Sequence, residues 1–283
     1  MSGRVLRQVA HRPRVRAIAR DVAHGSRALS RSLDTPRETL LAVSELARRY
    51  GGDRPAIPEQ AALTPFELRA FSQNGEDGLL LELLHRAGHG GRFFVEFGAG
   101  DGQQNNCVAL ADIFGWSGLF IEADSSRAAR LHAKYQGSRV STRHLSVTPD
   151  SVDDIFADTG VPADLDVLSI DVDGPDYAIW QRLTRHRPRI VIIEYDGAPG
   201  PERVEGLARG ASITDLQALG EEKGYRLVHT EMTGNNAFFV RREEPGTYPL
   251  PEVVPLRCAN HYLAGEGYIA RHSSTIDGLR TQP

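Results

Sequence analysis

Short apolar runs alternate with amphipathic stretches along the central part of the chain. Five runs predict strands: 92–97, 118–124, 139–147, 166–171 and 189–195. In the first of them, apolar residues are too dense for a strand with one face in solvent, which predicts a buried strand. The stretches between them carry apolar residues at helical spacing. This alternation of strands and helices predicts a parallel sheet with crossover helices.

The pattern changes after the fifth run. Residues 225–230 and 237–241 are short apolar segments joined by a turn at Thr233, Gly234 and Asn235, which predicts a hairpin. The expected fold is therefore α/β, with a seven-stranded, mostly parallel sheet, helices on both faces and an antiparallel edge hairpin. From Glu243 onward, proline and glycine interrupt the periodicity and predict no regular element.

The N-terminal part contains one predicted helix. Thr35, Pro36 and Glu38 form a capping box with proline at the first helical position, and an apolar stripe follows as far as Gly51 and Gly52. We expect this helix to dock on another surface. A solvated extension or a dimer arm is the alternative.

These elements divide the chain into three segments. Thr64, Pro65 and Glu67 form a second capping box, which predicts a helix near the start of the main domain. We expect an arginine-rich helical extension at 1–60, the main domain at 61–245, and an irregular C-terminal segment, a potential substrate lid, at 246–283.

Charge is distributed unevenly between these segments. The first 60 residues contain twelve arginines and six acidic residues, a net charge of +6, which leaves −10 for the rest of a chain whose total is −4. The arginines form no continuous basic cluster, so we expect no nucleic-acid or anionic-membrane binding there. Asp21, Asp34 and Glu38 also interrupt the acid-poor pattern of a transit peptide.

The remaining composition narrows the class of protein. Two cysteines among 283 residues cannot build a disulfide framework or a cysteine metal cluster, which favours a cytoplasmic protein. No apolar run approaches the roughly 20 residues that a membrane-spanning helix needs. The length and a hydrophobic content of 40% are compatible with one large core and a smaller appendage.

The stretch VEFGAGDG at 95–102 carries the clearest chemical signal. Gly98, Gly100 and Gly102 directly follow the first strand, where glycine can take positive φ angles and let a ligand approach the backbone. Helical spacing over 103–114 places this turn between a strand and a helix, as in nucleoside-binding sites. The alternative is that any α/β protein can carry a glycine turn after its first strand.

Two acids beside the turn favour one cofactor over another. In the dinucleotide fingerprint the third glycine follows the second by three residues, whereas here it follows by two. Glu96 and Asp101 bracket the turn and would repel a pyrophosphate, but they suit the amino group and hydroxyls of a cationic sulfonium cofactor. Both are therefore cofactor candidates, and the balance moves from NAD to S-adenosylmethionine.

A further acid lies at the end of the second strand. Glu122 follows Gly98 by 24 residues, close to where a carboxylate holds the ribose hydroxyls in a nucleotide-binding βαβ unit. We predict Glu122 as the ribose ligand and Asp124 as a weaker contact on the adenine side. Asp124 also fits a structural role, as the cap of a helix over 125–135.

Together these motifs resemble a known family. Their order and spacing are similar to those of class I S-adenosylmethionine-dependent methyltransferases, in the FkbM-like branch that carries SQNGED ahead of the glycine motif. The matching segments are SQNGEDGLL at 72–80, VEFGAGDG at 95–102, GWSGLFIEAD at 115–124, LSIDVDGPDY at 168–177 and IVIIEYDG at 190–197. The resemblance covers residues 71–242 and implies a Rossmann-like sheet.

The resemblance also implies roles for particular residues. The first-strand glutamate and the glycines would hold the amino-acid part of the cofactor, and the acid after the second strand would hold the ribose: Glu96, Gly98, Gly100 and Glu122. The segment before the first strand lines the methionine end in such families, which makes Gln73 and Asn74 candidates. Asn74 fits equally well as the cap of a helix that starts with Glu76 and Asp77.

Carboxylates accumulate at the ends of the fourth and fifth strands, where ligands bind in open α/β sheets. Such a group is costly unless something neutralises it, and a divalent cation such as Mg²⁺ would do so. The expected ligands are Asp171, Asp173, Glu194 and Asp196, with Asn235 or Asn236 adding a carbonyl oxygen. The full metal motif of catechol-type methyltransferases is absent, and the alternative places Asp173 in a simple turn and Asp171 at the sulfonium.

Methyl transfer to a hydroxyl also needs a proton acceptor. The candidates are Asp171, Asp173, His144 and His261, with His229 and His272 as weaker ones. Tyr177 and Trp180 could line an acceptor pocket, although helix packing is the better interpretation of Trp180.

The combined expectation is an S-adenosylmethionine-dependent methyltransferase with its catalytic domain at 61–245. By resemblance alone, its acceptor is a hydroxyl oxygen of a small molecule, either a sugar or a specialised metabolite. Transfer to nitrogen, carbon or a peptide is one alternative, and a non-catalytic nucleoside-binding or assembly module is another. The N-terminal helices could support a homo-oligomer.

Overall fold

The computed structural model describes residues 37–50, 63–195, 211–231, 234–246 and 248. Several predictions fall outside these ranges: the start of the N-terminal capping box at Thr35 and Pro36, most of the 246–283 segment, and the individual residues Asp196, His261 and His272. Within the described residues, no helix combines the length and apolar character needed to cross a membrane.

In the described part of the chain, seven strands form one sheet in the order β3-β2-β1-β4-β5-β7-β6. The strands are β1 (Phe93–Phe97), β2 (Ser117–Glu122), β3 (Val140–His144), β4 (Val167–Ile170), β5 (Ile190–Glu194), β6 (Tyr225–Thr230) and β7 (Asn236–Arg241). The first five pair in parallel, whereas β7 runs antiparallel to both β5 and β6. The predicted mixed sheet with an antiparallel edge pair is confirmed.

Helices cover both faces of this sheet. They are α1 (Arg37–Tyr50), α2 (Glu76–Ala87), α3 (Val108–Asp112), α4 (Ser125–Tyr135), α5 (Val152–Thr159), α6 (Asp176–Arg182) and α7 (Ile213–Glu222). The first four contribute to one apolar layer, and the last three contribute to the other. Along β1, Phe94 faces the first layer, while Val95 and Phe97 face the second. Both faces are buried, which explains the dense apolar runs in the sequence.

The strand order creates a cleft beside the glycine turn. From β1 the chain proceeds to β2 and β3 on one side, and then returns to place β4 and β5 on the other. Ligands of open α/β sheets bind at such a reversal, beyond the carboxyl ends of the strands. The order therefore brings the ends of β1, β2, β4 and β5 to the same edge.

The N-terminal helix packs on α2. Ala42 and Leu46 of α1 are buried in the apolar layer that also contains Leu79 and Leu83. The Tyr50 hydroxyl lies 3.2 Å from the carbonyl oxygen of Gly78 and 3.3 Å from Oε2 of Glu82. α1 therefore docks on the helix that carries the end of the SQNGED motif.

Two predicted helix starts are wrong. The helix expected over 103–114 is formed only as α3, because the backbone N–H groups of Asn106 and Cys107 donate to the Glu96 carboxylate and hold the preceding residues in an irregular loop. The second capping box does not form a helix cap; Thr64–Phe66 is a single 3₁₀ turn without a side-chain cap. Glu67 ends that turn, and its Oε1 lies 2.7 Å from Nε2 of His229 on β6.

Candidate active site at the carboxyl edge of the sheet

The glycine turn has the backbone conformation that the sequence predicts. Gly98, Gly100 and Gly102 have φ angles of 72°, 51° and 78°. A Cβ added to Gly98 would lie 1.6 Å from the carbonyl oxygen of Asp171, so only glycine lets the turn approach the end of β4. A Cβ on Gly100 would meet no described atom within 4 Å. The turn thus packs against β4 on one side and leaves space on the other.

Glu122 holds the tip of this turn. Its Oε2 accepts a hydrogen bond of 2.6 Å from the backbone N–H of Gly100, and its Oε1 accepts one of 2.7 Å from the N–H of Asp124. The side chain is buried at the end of β2. Glu122 therefore lies beside the open face of the glycine turn, where the sequence predicts the ribose ligand.

Asp124 has the structural role that the sequence left as an alternative. It is the N-cap of α4, and its Oδ1 accepts a hydrogen bond of 2.8 Å from the N–H of Arg127. This bond lowers the pKa of Asp124. Asp101 is also turned toward α4, since its Oδ2 lies 3.4 Å from Nε of Arg130 and accepts from Gln103.

Glu96 is buried beneath the turn. Its two carboxylate oxygens accept from the backbone N–H groups of Asn106 and Cys107 at 2.9 and 3.0 Å. Burial outweighs these bonds and raises the pKa of Glu96 to about 7. Glu96 therefore shapes the loop that follows the glycine turn.

The SQNGED loop is organised by its two acids, which the sequence reading treated only as first-turn residues of α2. Oδ2 of Asp77 accepts from the backbone N–H groups of Ala70, Phe71 and Ser72 and from the Ser72 hydroxyl. Glu76 accepts from the N–H groups of Asn74 and Gly75 at 2.8 Å each. These bonds fix Gln73 and Asn74 in place, with Gln73 exposed.

The interpretation of Asn74 as a helix cap is wrong. Gly75, with φ 138°, occupies the cap position of α2, and no side chain caps the helix there. The Asn74 side-chain amide instead donates to Oε1 of Glu76 at 3.2 Å. Because Gly75 takes the cap position, Asn74 lies one residue too early in the chain to cap the helix.

Three carboxylates form an acidic cluster at the ends of β4 and β5: Asp171, Asp173 and Glu194. One oxygen of each lies within 4.8 Å of the others. β4 and β5 are adjacent and parallel, with Ile170 opposite Ile193, so the residues that follow them meet at the same edge. Within the described residues, no lysine or arginine pairs with these acids.

The acids of this cluster raise one another's pKa. Burial raises the pKa of Asp171 and of Glu194 well above the ordinary range, and repulsion from Asp173 and Asp176 adds to the effect. Because Asp171 and Glu194 also share a hydrogen bond, they behave as a pair that favours holding one proton. A cation would remove this repulsion, so oxygen ligands at this spacing fit a divalent metal ion.

The turn that carries Asp173 has a strained backbone and is held by hydrogen bonds to Asp176. Asp173 has a φ of 58°, in the left-handed region that non-glycine residues rarely adopt. Asp176, which is buried, accepts from the N–H groups of Val172 and Gly174 at 2.8 and 2.9 Å. The sequence reading did not single out Asp176; its position two residues after an Asp-Gly turn, at the start of α6, was the available signal.

Asn236 connects the acidic cluster to the SQNGED loop. It lies directly opposite Glu194 in the antiparallel pair of β5 and β7. Its Nδ2 donates to Oε1 of Glu76 at 3.0 Å, and its Oδ1 is buried with no hydrogen-bond partner among the described residues. Asn236, which the sequence suggests as an additional carbonyl ligand, therefore lies beside Glu194 of the cluster.

The histidine candidates are dispersed. His144 lies on the edge strand β3, opposite Glu122 and exposed, with Nε2 3.1 Å from the carbonyl oxygen of Ala123. β2 and β1 separate it from β4, so the fold does not bring it to the acidic cluster. Trp180 is fully buried against Tyr225 and Phe239, in agreement with helix packing. Tyr177 is partly exposed on the first turn of α6.

Comparison with known proteins supports the class that the motifs predict. Residues 92–227 match the model of the methyltransferase FkbM domain. The seven-stranded sheet and this match support a class I S-adenosylmethionine-dependent methyltransferase of the FkbM-like type. A comparison with curated proteins found no match.

Several solved structures are similar to part of the chain. The N-terminal domain of EvdMO1 with bound S-adenosylhomocysteine is 19% identical, with 52% of this chain and 72% of that chain covered and a TM-score of 0.36. A methyltransferase from Mesorhizobium loti is 11% identical over 54% and 92% of the two chains, with a TM-score of 0.39. Aeropyrum pernix fibrillarin with S-adenosylmethionine is 16% identical over 53% and 66%, with a TM-score of 0.39.

Proposed function

We propose that the protein transfers a methyl group from S-adenosylmethionine to a hydroxyl oxygen of a small molecule, either a sugar or a specialised metabolite, with a divalent cation at the acidic cluster. The observation that carries methyl transfer is the FkbM domain match over the residues that form the glycine turn and its acids. The oxygen acceptor rests on family resemblance, and the cation rests on the geometry of the cluster.

The cofactor site is supported by the free side of the glycine turn. Gly100 leaves open space there, and Glu122 borders it with a carboxylate that can accept the ribose hydroxyls. Gln73 and Asn74 would border the methionine end, and Glu96 would place negative charge near its amino group. Asp101 and Asp124 are weaker candidates, because each already contacts α4.

The acidic cluster would lie at the methyl-transfer end of the site. Gly98 packs the turn directly against the backbone of Asp171, so a cofactor on the turn would have Asp171 as a neighbour. Asp171, Asp173 and Glu194 would supply carboxylate oxygens to a cation, and Oδ1 of Asn236 would supply a neutral one. We retain Asp196, outside the described residues, as a further candidate ligand.

A cation and a carboxylate would together activate the acceptor hydroxyl. A divalent cation held by these residues would bind the acceptor hydroxyl and lower its pKa. Asp171 or Glu194, which lie at the same site, would take the released proton. His144 is too far along the sheet for this role, and His261 remains a prediction.

The roles of the segments that flank the domain, its location and its oligomeric state are also proposals. α1 uses its apolar face to pack on α2 in its own chain, which argues against this helix acting as a dimer arm. We retain an extension at 1–60, a lid at 246–283, a cytoplasmic location and a small-molecule acceptor. A homo-oligomer would have to use another surface than the one between α1 and α2.

Calorimetry with S-adenosylmethionine and S-adenosylhomocysteine tests the proposal first. We expect binding of both; absence of both would reject methyl transfer and favour a non-catalytic module. Methyl transfer to a panel of hydroxyl, amine and peptide acceptors then separates the oxygen acceptor from its alternatives. Turnover that persists unchanged in strong chelator would remove the cation while leaving methyl transfer in place.

A further inference from the structure

The nitrogen and the oxygen of the Asn236 side-chain amide differ in their hydrogen bonding. Its Nδ2 donates to Oε1 of Glu76 at 3.0 Å, whereas its Oδ1 is buried and accepts no hydrogen bond from any described residue. An unpaired buried acceptor is unfavourable and rare in folded proteins. Oδ1 therefore needs a partner that the described residues around it do not supply.

The position of Asn236 indicates where that partner lies. Glu194 and Asn236 are directly opposite in an antiparallel pair, so their side chains project from the same face of the sheet. Glu194 belongs to the acidic cluster, and on the other side Asn236 contacts Glu76. The amide thus spans the interval between Glu76 and the cluster.

Glu76 determines which end of the amide faces which neighbour. Its side chain is fully buried, and it receives only donors: Oε2 accepts from the backbone N–H groups of Asn74 and Gly75, and Oε1 accepts from the side-chain amides of Asn74 and Asn236. With the NH₂ group of Asn236 turned toward this carboxylate, its carbonyl oxygen must point away from it.

We infer that Glu76 is a positioning residue, which holds the Asn236 amide so that its carbonyl oxygen, and not its NH₂ group, is presented to a cation at the acidic cluster. This inference rests on the proposed cation site and extends it to a residue 160 positions away in the chain. The SQNGED motif then has two functions: it lines the cofactor end of the cleft and sets a ligand at the acceptor end.

The substitution Glu76→Gln tests the inference. The backbone N–H groups of Asn74 and Gly75 cannot turn around, so the oxygen of the new amide must stay with them. Its NH₂ group then faces Asn236, whose amide must rotate and turn its own NH₂ toward the cluster. Mn²⁺ affinity, measured by calorimetry and by the paramagnetic signal of free Mn²⁺, should fall about 10- to 100-fold, as for other residues that orient a metal ligand.

The double substitution Glu76→Gln with Asn236→Asp is the matched rescue. A carboxylate at the second position can accept from the new NH₂ group with one oxygen and offer the other to the cation. We expect Mn²⁺ affinity to return to the wild-type range or exceed it. Asn236→Asp alone controls for the added charge, because a merely structural role for Glu76 predicts the same gain in Mn²⁺ affinity with and without Glu76→Gln, whereas a positioning role predicts a larger gain in the double variant.

The possible outcomes distinguish a failure of the positioning role of Glu76 from a failure of the proposed cation site. A wild-type protein that binds no Mn²⁺ would refute the cation site and the inference together. Wild-type binding with equal affinity in Glu76→Gln would refute the inference alone. If Glu76→Gln does not fold by circular dichroism, Asn236→Leu keeps Glu76 and removes the carbonyl; undiminished Mn²⁺ affinity in that variant would also overturn the inference.

Discussion

Carboxylates lie at both ends of the cleft, but their surroundings differ. At the proposed cofactor end, Glu96, Glu122 and Asp77 each accept hydrogen bonds from two or more backbone N–H groups. At the proposed acceptor end, Asp171 and Glu194 face each other and Asp173, with no cationic side chain paired to them in the described part of the chain.

The difference shows how the same residue types serve two purposes. Backbone amides hold the acids of the cofactor end, and in return those acids fix the glycine turn and the SQNGED loop. No cationic side chain among the described residues pairs with the acids at the ends of β4 and β5, so protons or a cation would relieve their mutual repulsion. Substitutions at the first end should therefore change binding and stability, whereas substitutions at the second should change chemistry.

The largest effect is expected for Asp171→Asn at the acceptor end. Loss of the carboxylate removes both a cation ligand and a proton acceptor, so methyl transfer should fall about 100- to 10,000-fold, while cofactor affinity changes far less. Transfer of a radiolabelled methyl group to an acceptor found with the wild-type protein measures this. Asp158→Asn, on the exposed side of α5, is the matched control. Near-normal activity of Asp171→Asn would place the chemistry elsewhere.

Glu122→Ala should give the next largest effect, and at the cofactor end. The change removes the predicted ribose contact and frees the N–H groups of Gly100 and Asp124, so the calorimetric Kd for S-adenosylhomocysteine should rise about tenfold or more. Glu122→Gln keeps one acceptor and should lose less. An unchanged Kd in Glu122→Ala would mean that the ribose is held by another residue.

Asp77→Asn should alter the pH dependence of stability. Burial raises the pKa of Asp77 from 3.8 to about 6 in the folded protein. The folded state therefore binds this proton more tightly, and the stabilisation is present at low pH and lost as pH rises through about 6. As the pH rises from 3.8 to about 6, the unfolding free energy of the wild-type protein should fall by up to about 3 kcal/mol because of this group.

Urea unfolding of Asp77→Asn and wild type at several pH values isolates this contribution. The variant should lack this pH-dependent contribution because asparagine does not titrate. Its amide oxygen can replace Oδ2 as an acceptor, and its uncharged NH₂ group would lie where Oδ1 of Asp77 has no partner among the described residues. A constant difference in stability between the two proteins across this pH range would show that Asp77 does not titrate as its burial implies.

The smallest effect is expected at Asp173, where stability and chemistry should move in opposite directions. Asp173→Gly relieves a left-handed φ of 58° and one negative charge, and should raise the unfolding free energy by about 1 kcal/mol or less. Mn²⁺ affinity should fall. Asp173→Asn removes the charge but keeps a side chain that tolerates this φ angle, so it separates the effect of the charge on stability from the effect of the backbone conformation. Lower stability in the glycine variant would indicate that the turn is not strained.

The strands and the glycine turn could be predicted because their signals are local. β1 lies within the predicted run 92–97, and its three following glycines all have positive φ angles. The residues of the acidic cluster were also predictable, because the carboxyl ends of neighbouring parallel strands must meet at one edge. The helix over 103–114 was not, since a buried glutamate on another element captured two of its N–H groups.

Sequence alone determined the class of fold, the conformation of the glycine turn and the positions of acids at strand ends, because periodicity and glycine chemistry act over a few residues. Only the tertiary structure decided which acids are held by backbone amides and which are left to repel one another. It alone also paired Asn236 with Glu76 and Glu67 with His229. Burial and hydrogen-bond partners depend on residues that meet only after the chain folds, so the charge state and role of each acid are properties of the whole fold.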